Sequence, residues 1–157
     1  MEIEKKYLIN LPLNKIARYP HINIEQGYIS TNPVIRIRKT DKSYYVTYKS
    51  SGLMVRQEFE DEISKEQYNT LKSKVDYNLI SKKRYYIPLD NSLTVELDIF
   101  NDKLEGLIMA EVEFDSEESA NNFTPPSWFV KEVTFDTRFH NSNLCKEENI
   151  SFLDEPL

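Results

Sequence analysis

The feature that most restricts the fold of this chain is a period-two alternation in which charged and apolar residues take turns through one segment after another. Side chains two apart on a strand point to the same face. Glu2, Glu4 and Lys6 therefore share a face, as do Arg36 with Arg38, Thr47 with Lys49, and Arg56 with Glu58 and Glu60. Lys82 with Arg84, Glu96 with Asp98, and Glu111 with Glu113 continue the pattern. The opposite face carries Ile3, Ile35, Ile37, Val46, Tyr48, Val55, Phe59, Tyr85, Val95, Leu97, Val112 and Phe114.

The alternation predicts strands over about 2–9, 34–39, 43–49, 53–62, 80–87, 93–100, 107–115 and 130–135. About eight strands suffice to close a barrel. Gly52, in Lys49-Ser50-Ser51-Gly52-Leu53 between two alternating segments, reads as a hairpin turn. Ser64 and Gln67 have capping-box spacing, and Tyr68, Leu71 and Val75 follow on one helical face. Shorter helices are expected over Leu13 to Tyr19 after Pro12 and over Ser116 to Phe123, with a last helical turn or two within Arg138 to Lys146. The expected class is α+β, predominantly β: an eight-stranded antiparallel closed β-barrel with a few flanking helices. Residues 1–146 are expected to form one domain, and 147–157 a polar, loosely held carboxy-terminal tail.

Two accounts of the charged face compete. Most polar-apolar alternation comes from an antiparallel sheet with one solvated face. Such a face normally mixes Thr, Ser, Gln and Lys, whereas here like charges recur at two-residue spacing, an arrangement that destabilises a sheet unless something compensates. The basic set has seven members (Lys6, Arg36, Arg38, Lys49, Arg56, Lys82, Arg84) and the acidic set eight (Glu2, Glu4, Glu58, Glu60, Glu96, Asp98, Glu111, Glu113). A barrel enclosing both is nearly neutral yet densely ionic, and desolvation costs several kcal/mol per ion. Water, metal and an anionic substrate are the compensation such an interior demands.

The chemistry follows from what each set binds. Guanidinium forks match phosphate oxygens, and several clustered Arg and Lys side chains hold a chain of phosphates better than one phosphate. Glu2, Glu4, Glu111 and Glu113 offer hard oxygen ligands suited to Mg2+ or Mn2+. Hydrolysis then requires a metal- or carboxylate-positioned water in line with the terminal phosphorus and cations on the leaving diphosphate.

Composition narrows the partners. A net charge of −6 over 157 residues argues against a general nucleic-acid coat, which needs a surface surplus of Lys and Arg. Cys145, the single cysteine, forms no intrachain disulfide, and no apolar run reads as a signal peptide or membrane span, so a cytoplasmic monomer or homodimer is expected. His21 and His140 lie outside the charged strands and read as packing or surface groups, with His140 placed to reach a tunnel mouth.

Glu2-Ile3-Glu4-Lys5-Lys6 resembles the amino-terminal signature of the CYTH, or triphosphate tunnel metalloenzyme, superfamily. Gln26-Gly27-Tyr28, Arg36-Ile37-Arg38, Thr47-Tyr48-Lys49, Arg56-Gln57-Glu58-Phe59-Glu60, Lys82-Lys83-Arg84-Tyr85, Glu96-Leu97-Asp98, Ala110-Glu111-Val112-Glu113-Phe114 and Glu132-Val133-Thr134 follow in the family's order, spanning roughly residues 2–144. The resemblance implies an eight-stranded tunnel, a divalent metal and triphosphate-bearing substrates. It implies phosphate ligands at Lys6, Arg36, Arg38, Lys49, Arg56, Lys82 and Arg84, a metal cluster at Glu2, Glu4, Glu111 and Glu113, and support for metal or water from Glu58, Glu60, Glu96 and Asp98. It also implies a catalytic pair, Tyr28 with Lys49.

The leading expectation is hydrolysis of inorganic triphosphate to diphosphate and phosphate, because the ligand set is rich in phosphate donors and poor in groups placed to read a base. A nucleoside or thiamine triphosphatase, a class IV adenylate cyclase and a non-catalytic polyphosphate-binding module are the alternatives. Paired carboxylates count against the binding module, since a pure anion binder avoids eight acids around its ligand.

Overall fold

In the computed structural model, which describes residues 1–155, the charged-apolar alternation curls into a barrel. Its strands are β1 (Glu2–Ile9), β2 (His21–Thr31), β3 (Val34–Lys39), β4 (Tyr44–Lys49), β5 (Val55–Arg56), β6 (Glu58–Ile63), β7 (Asp76–Pro88), β8 (Thr94–Phe100), β9 (Ile108–Glu113) and β10 (Phe129–Glu132). The helices are α1 (Leu13–Ile16), α2 (Lys65–Lys72), α3 (Glu117–Asn121) and α4 (Asn141–Leu144). Every strand pair is antiparallel, in the order β10-β1-β9-β8-β7-β2-β3-β4-β6. Among the described residues no helix is long and apolar enough to cross a membrane.

The predicted strand over 53–62 is a bent stave broken at Gln57. Its first part, β5, pairs Val55 and Arg56 with Ile3 and Glu2 of β1, while β6 pairs with β4. This bend closes the wall, so that β1, β9, β8, β7, β2, β3, β4 and the β5–β6 stave make the eight sides. The loop before it turns at Gly52, whose φ of +136° and 2.2 Å approach of an added Cβ to the Val55 carbonyl leave room only for glycine.

β2 is the stave that sequence periodicity does not announce. The predicted 130–135 strand takes no place among the eight; as β10 it covers the far half of β1's edge, pairing Tyr7 to Ile9. β2 escapes because its register shifts between Gln26 and Tyr28 against β7 and between Tyr28 and Ser30 against β3, and such irregularities destroy a strict period of two. Gly27 lies within the first of them, where a Cβ would meet Val75 and Leu79 at 2.8 Å.

The helices follow the sequence signals. The Ser64–Gln67 capping box opens α2, and Ser116 with Ser119 forms a second one before α3. Apolar packing lies largely outside the barrel wall: Ile3, Tyr7, Tyr85, Leu97, Ala110, Val112 and Phe114 pack with Ile16 of α1, Ala120 of α3 and Phe129 of β10. A second cluster fills one end of the interior. There Leu8, Ile80, Phe100 and Met109 replace the charged residues on the inward face, with Tyr28 beside them, and meet Phe139, Leu144, Cys145 and Phe152 from the carboxy-terminal segment.

That segment departs from the expectation of a loosely held tail. Phe152 is 6% exposed and stacks edge-on against Phe139 at 5.6 Å, and Ile150 packs against the same cluster. Apolar side chains spaced irregularly among acids give no periodic signal, yet a few anchors suffice to hold such a segment down. Residues 156–157 lie outside the described part of the expected tail.

Candidate functional site

Strand register brings the two charge sets face to face inside the barrel. β1 and β9 set Glu4 beside Glu113 and Lys6 beside Glu111; β8 adds Glu96 beside Glu111 and β7 adds Arg84 beside Asp98. From the other side, β3 supplies Arg36 and Arg38, β4 supplies Lys49, and the β5–β6 stave supplies Arg56, Glu58 and Glu60. These groups and Tyr28 surround a chamber of about 170 Å³. Of the fifteen charged residues singled out from sequence, only Lys82 and Asp98 do not line it. Parity places them inward, but the apolar plug and Arg84 cover them; Lys82 is 1% exposed and its ammonium sits 2.7 Å from Asp98.

Most of the cations are already partnered. Lys6 Nζ lies 3.1 Å from Glu111 and 3.6 Å from Glu4. Lys49 Nζ bridges Glu2 at 3.0 Å and Glu58 at 3.2 Å, and Arg56 Nε approaches Glu2 at 3.4 Å. Arg84 donates two bonds to Asp98, at 2.7 and 2.9 Å, and one to Glu96 at 2.7 Å. Lys6 and Arg84 hold the Glu111 carboxyl well below the usual range despite its burial. Arg84 and Lys82 likewise lower the Asp98 carboxyl against its burial. Burial draws Lys82 down to about 7 against the pull of Asp98.

Two patches remain unbalanced, and they stand on opposite walls. On β3, Arg38 has no carboxylate partner among the described residues; it donates to Gln26 Oε1 from Nε at 3.0 Å and from Nη2 at 2.7 Å. Burial, with Arg36 and Arg84 as like-charged neighbours, lowers it to about 10, so it stays cationic at neutral pH. Nearby, Arg36 Nε and Gln26 Nε2 are buried donors without an acceptor. On β9, Glu113 has no cationic partner among the described residues. Burial and the acids around it, Glu2, Glu96, Glu4 and Glu58, raise its carboxyl above the usual range. Glu96 is raised as well, by burial first and then by Glu111, Asp98 and Glu4 against Arg84.

Tyr28 is 3% exposed, and burial raises its phenol despite Arg36, Arg38 and Lys6, so it is an O–H donor at neutral pH. It forms no hydrogen bond with Lys49 among the described residues; Lys49 is held instead by Glu2 and Glu58.

Sequence reasoning missed Gln26 as a site residue and, apart from His140 at a tunnel mouth, the contribution of the carboxy-terminal segment. His140, Asn141 and Ser142 line the chamber beside the charged strands. His140 Nε2 lies 3.1 Å from the Thr134 carbonyl, an arrangement that puts the ring proton on Nε2, and burial with Lys6 nearby lowers its basicity. The further signal for these residues was a run of four polar side chains, His140 to Asn143, directly after Phe139.

No family model matches the chain. An inorganic triphosphatase of Nitrosomonas europaea, however, is 37% identical over 148 residues, covering 92% of this chain and 96% of its own. The chain belongs to the CYTH, or triphosphate tunnel metalloenzyme, superfamily. A second relative in this superfamily, an inorganic triphosphatase of Acetivibrio thermocellus, is 33% identical over 155 residues, covering 96% of this chain and 97% of its own. A crystal structure of an inorganic triphosphatase matches with a TM-score of 0.69 and 33% identity over 95% of this chain and 97% of its own. The tunnel fold alone is shared with a Hippeastrum adenylyl cyclase-like protein at a TM-score of 0.58 and 16% identity, over 78% of this chain and 83% of that one.

CYTH triphosphatases are in general metal-dependent, and the acidic wall can be tested against that requirement. Among the described residues no three carboxylate, imidazole or thiol groups are gathered into a closed metal cage. Mg2+ does not need one, because it is usually held by one or two carboxylates together with substrate phosphates and water. Glu4 and Glu113, cross-strand neighbours of which Glu113 is unpaired among the described residues and Glu4 meets Lys6 at 3.6 Å, provide that open pair, whereas protein cations hold Glu2 and Glu111 more closely. The donor set therefore fits a hard divalent ion at Glu4 and Glu113.

Proposed function

We propose that this protein hydrolyses inorganic triphosphate to diphosphate and orthophosphate with Mg2+ or Mn2+ as the divalent ion, in the cytoplasm. The observation that carries the proposal is the separation of unspent charge: donors without acceptors around Arg38 on β3, and on β9 the Glu113 carboxyl, which has no cation of its own among the described residues. A triphosphate and a divalent ion neutralise the two patches together, and neither does so alone. The named activity of the two relatives points the same way.

In this reading Arg36, Arg38, Arg56 and Lys6 hold phosphoryl oxygens, with forked donation from the arginines. Lys49 and Arg84 hold the carboxylates of the wall in place and add positive potential. Glu4 and Glu113 would hold the ion, which when bound polarises phosphoryl oxygens and neutralises charge on the leaving diphosphate. A carboxylate of the β1–β9 wall orients the water in line with the terminal phosphorus. Its attack forms one P–O bond as the bridging P–O bond breaks. Tyr28, protonated at neutral pH, donates a hydrogen bond to the transferring or leaving oxygens.

The chamber favours bare triphosphate over a nucleotide, since about 170 Å³ bounded by charged groups suits phosphates better than a base and sugar. Thermal melts with triphosphate, with Mg2+ and with both test the reading. The two together are expected to raise the melting temperature by more than the sum of their separate effects. Purely additive shifts would refute joint neutralisation.

A further inference from the structure

We infer that Asn141, supplied by the carboxy-terminal segment, is a phosphate ligand of the chamber, and that Lys82 acts on the substrate through it as a positioning residue. The inference rests on the triphosphate reading given above. Asn141 lines the chamber and is 8% exposed, and its Oδ1 lies 3.4 Å from Lys82 Nζ. In its protonated form against Asp98 the Lys82 ammonium only donates hydrogen bonds, so this contact sets the amide with its oxygen toward Lys82 and its NH2 turned away.

That NH2 has no acceptor among the described residues, and it is not sealed from solvent like the Gln26 amide. Its open side is the chamber. Two uncommitted neutral donors therefore face the space in which an anion is bound, in a lining shared with Lys6 and Arg36. The segment that carries them cannot easily swing away, because Phe139 and Leu144, on either side of Asn141, are both fully buried.

Lys82 has the opposite situation. It belongs to the basic set by sequence, yet it is cut off from the chamber, held by Asp98 at 2.7 Å and lying over the Phe100 ring at 5.3 Å. Apart from Asp98, which Arg84 grips as well, its contact toward the chamber among the described residues is the Asn141 amide that it orients. The carboxy-terminal segment thus does more than fill one end of the barrel; it completes the donor wall.

The test is calorimetric binding of inorganic triphosphate in chelator, where turnover is suppressed, to wild type, Asn141→Asp, Asn141→Ala and Lys82→Met. Asn141→Asp keeps the size, replaces the donors by an anionic acceptor and gives Lys82 a second carboxylate. We expect its dissociation constant to rise about tenfold or more while its melting temperature holds or rises, a combination that a merely structural role would not produce. Asn141→Ala is expected to weaken binding about three- to tenfold, and it decides the matter if the Asp variant does not fold. Lys82→Met should weaken binding in the wild-type background and not in the Asn141→Ala background. Binding by both Asn141 variants within about twofold of wild type would overturn the ligand role, since a lost hydrogen bond exceeds that change. Additive effects of Lys82→Met and Asn141→Ala would overturn the positioning role. If wild type binds no triphosphate, the triphosphate reading fails first and this inference falls with it.

Discussion

Replacing Arg38 by Met separates binding from folding more sharply than any other change in the chamber. The methionine keeps most of the apolar stem. Two effects on stability oppose each other: the two bonds to Gln26 are lost, stranding a buried oxygen at about 1–3 kcal/mol, while a half-buried guanidinium that no carboxylate neutralises disappears, with its repulsion from Arg36 and Arg84. Their difference is on the order of 1 kcal/mol, a shift of roughly 2–4 °C in melting temperature. Binding has no such cancellation. A charge-assisted bond to phosphate contributes about 1.5–3 kcal/mol, so the triphosphate dissociation constant should rise roughly 10- to 150-fold. Arg84→Met is the control, because it strands Glu96 and leaves Asp98 with Lys82 alone. Breaking such a buried pair costs about 3–5 kcal/mol, or roughly 6–20 °C. Calorimetric binding and thermal melts on both variants decide the matter. The reasoning is refuted if Arg38→Met melts as early as Arg84→Met, or if it binds triphosphate as tightly as wild type.

Glu4→Gln and Glu113→Gln should each abolish most metal-stimulated phosphate release while leaving triphosphate binding in chelator intact or tighter; unchanged metal titration curves in both would remove these residues from the ion site. The raised carboxyl of Glu113 means that the folded state holds this proton more tightly than the unfolded chain. Its contribution to stability therefore falls as pH rises from the ordinary glutamate value toward the raised one. Melts in chelator between about pH 4 and about pH 7 should show wild type losing stability relative to Glu113→Gln as pH rises, and Mg2+ should erase the difference; parallel profiles would contradict it. Gly27→Ala drives a Cβ against Val75 and Leu79 at 2.8 Å and should cost about 1–3 kcal/mol in urea unfolding, with weaker triphosphate binding because Gln26 and Tyr28 flank it. A neutral result would mean that the 75–79 segment gives way freely.

The charged interior was legible because parity is a rigid property of strands. From Glu2 and Glu4 to Glu111 and Glu113, the shared faces read from sequence are the faces that line the chamber. Parity gives the side and not the depth, which is why Lys82 and Asp98 look like Arg84 and Glu96 in sequence yet lie behind them, toward the apolar plug. β2 was hidden by its own irregularities around Gly27, although the Gln26-Gly27-Tyr28 motif pointed to its position. The bend at Gln57 that lets one stave pair with both β1 and β4 leaves no periodic trace either. Least legible of all was the carboxy-terminal segment. Phe139, Leu144 and Phe152 anchor it through long-range contacts, and only those contacts bring Asn141 to the strands.

The measurement that bears most directly on the account is phosphate release from the purified protein offered inorganic triphosphate, ATP and thiamine triphosphate, each with Mg2+, Mn2+ or chelator. The account predicts turnover that depends on the divalent ion and is strongest on inorganic triphosphate, with orthophosphate and diphosphate formed in equal amounts. Metal-stimulated binding without release on any substrate, or faster release from ATP than from inorganic triphosphate, would contradict it.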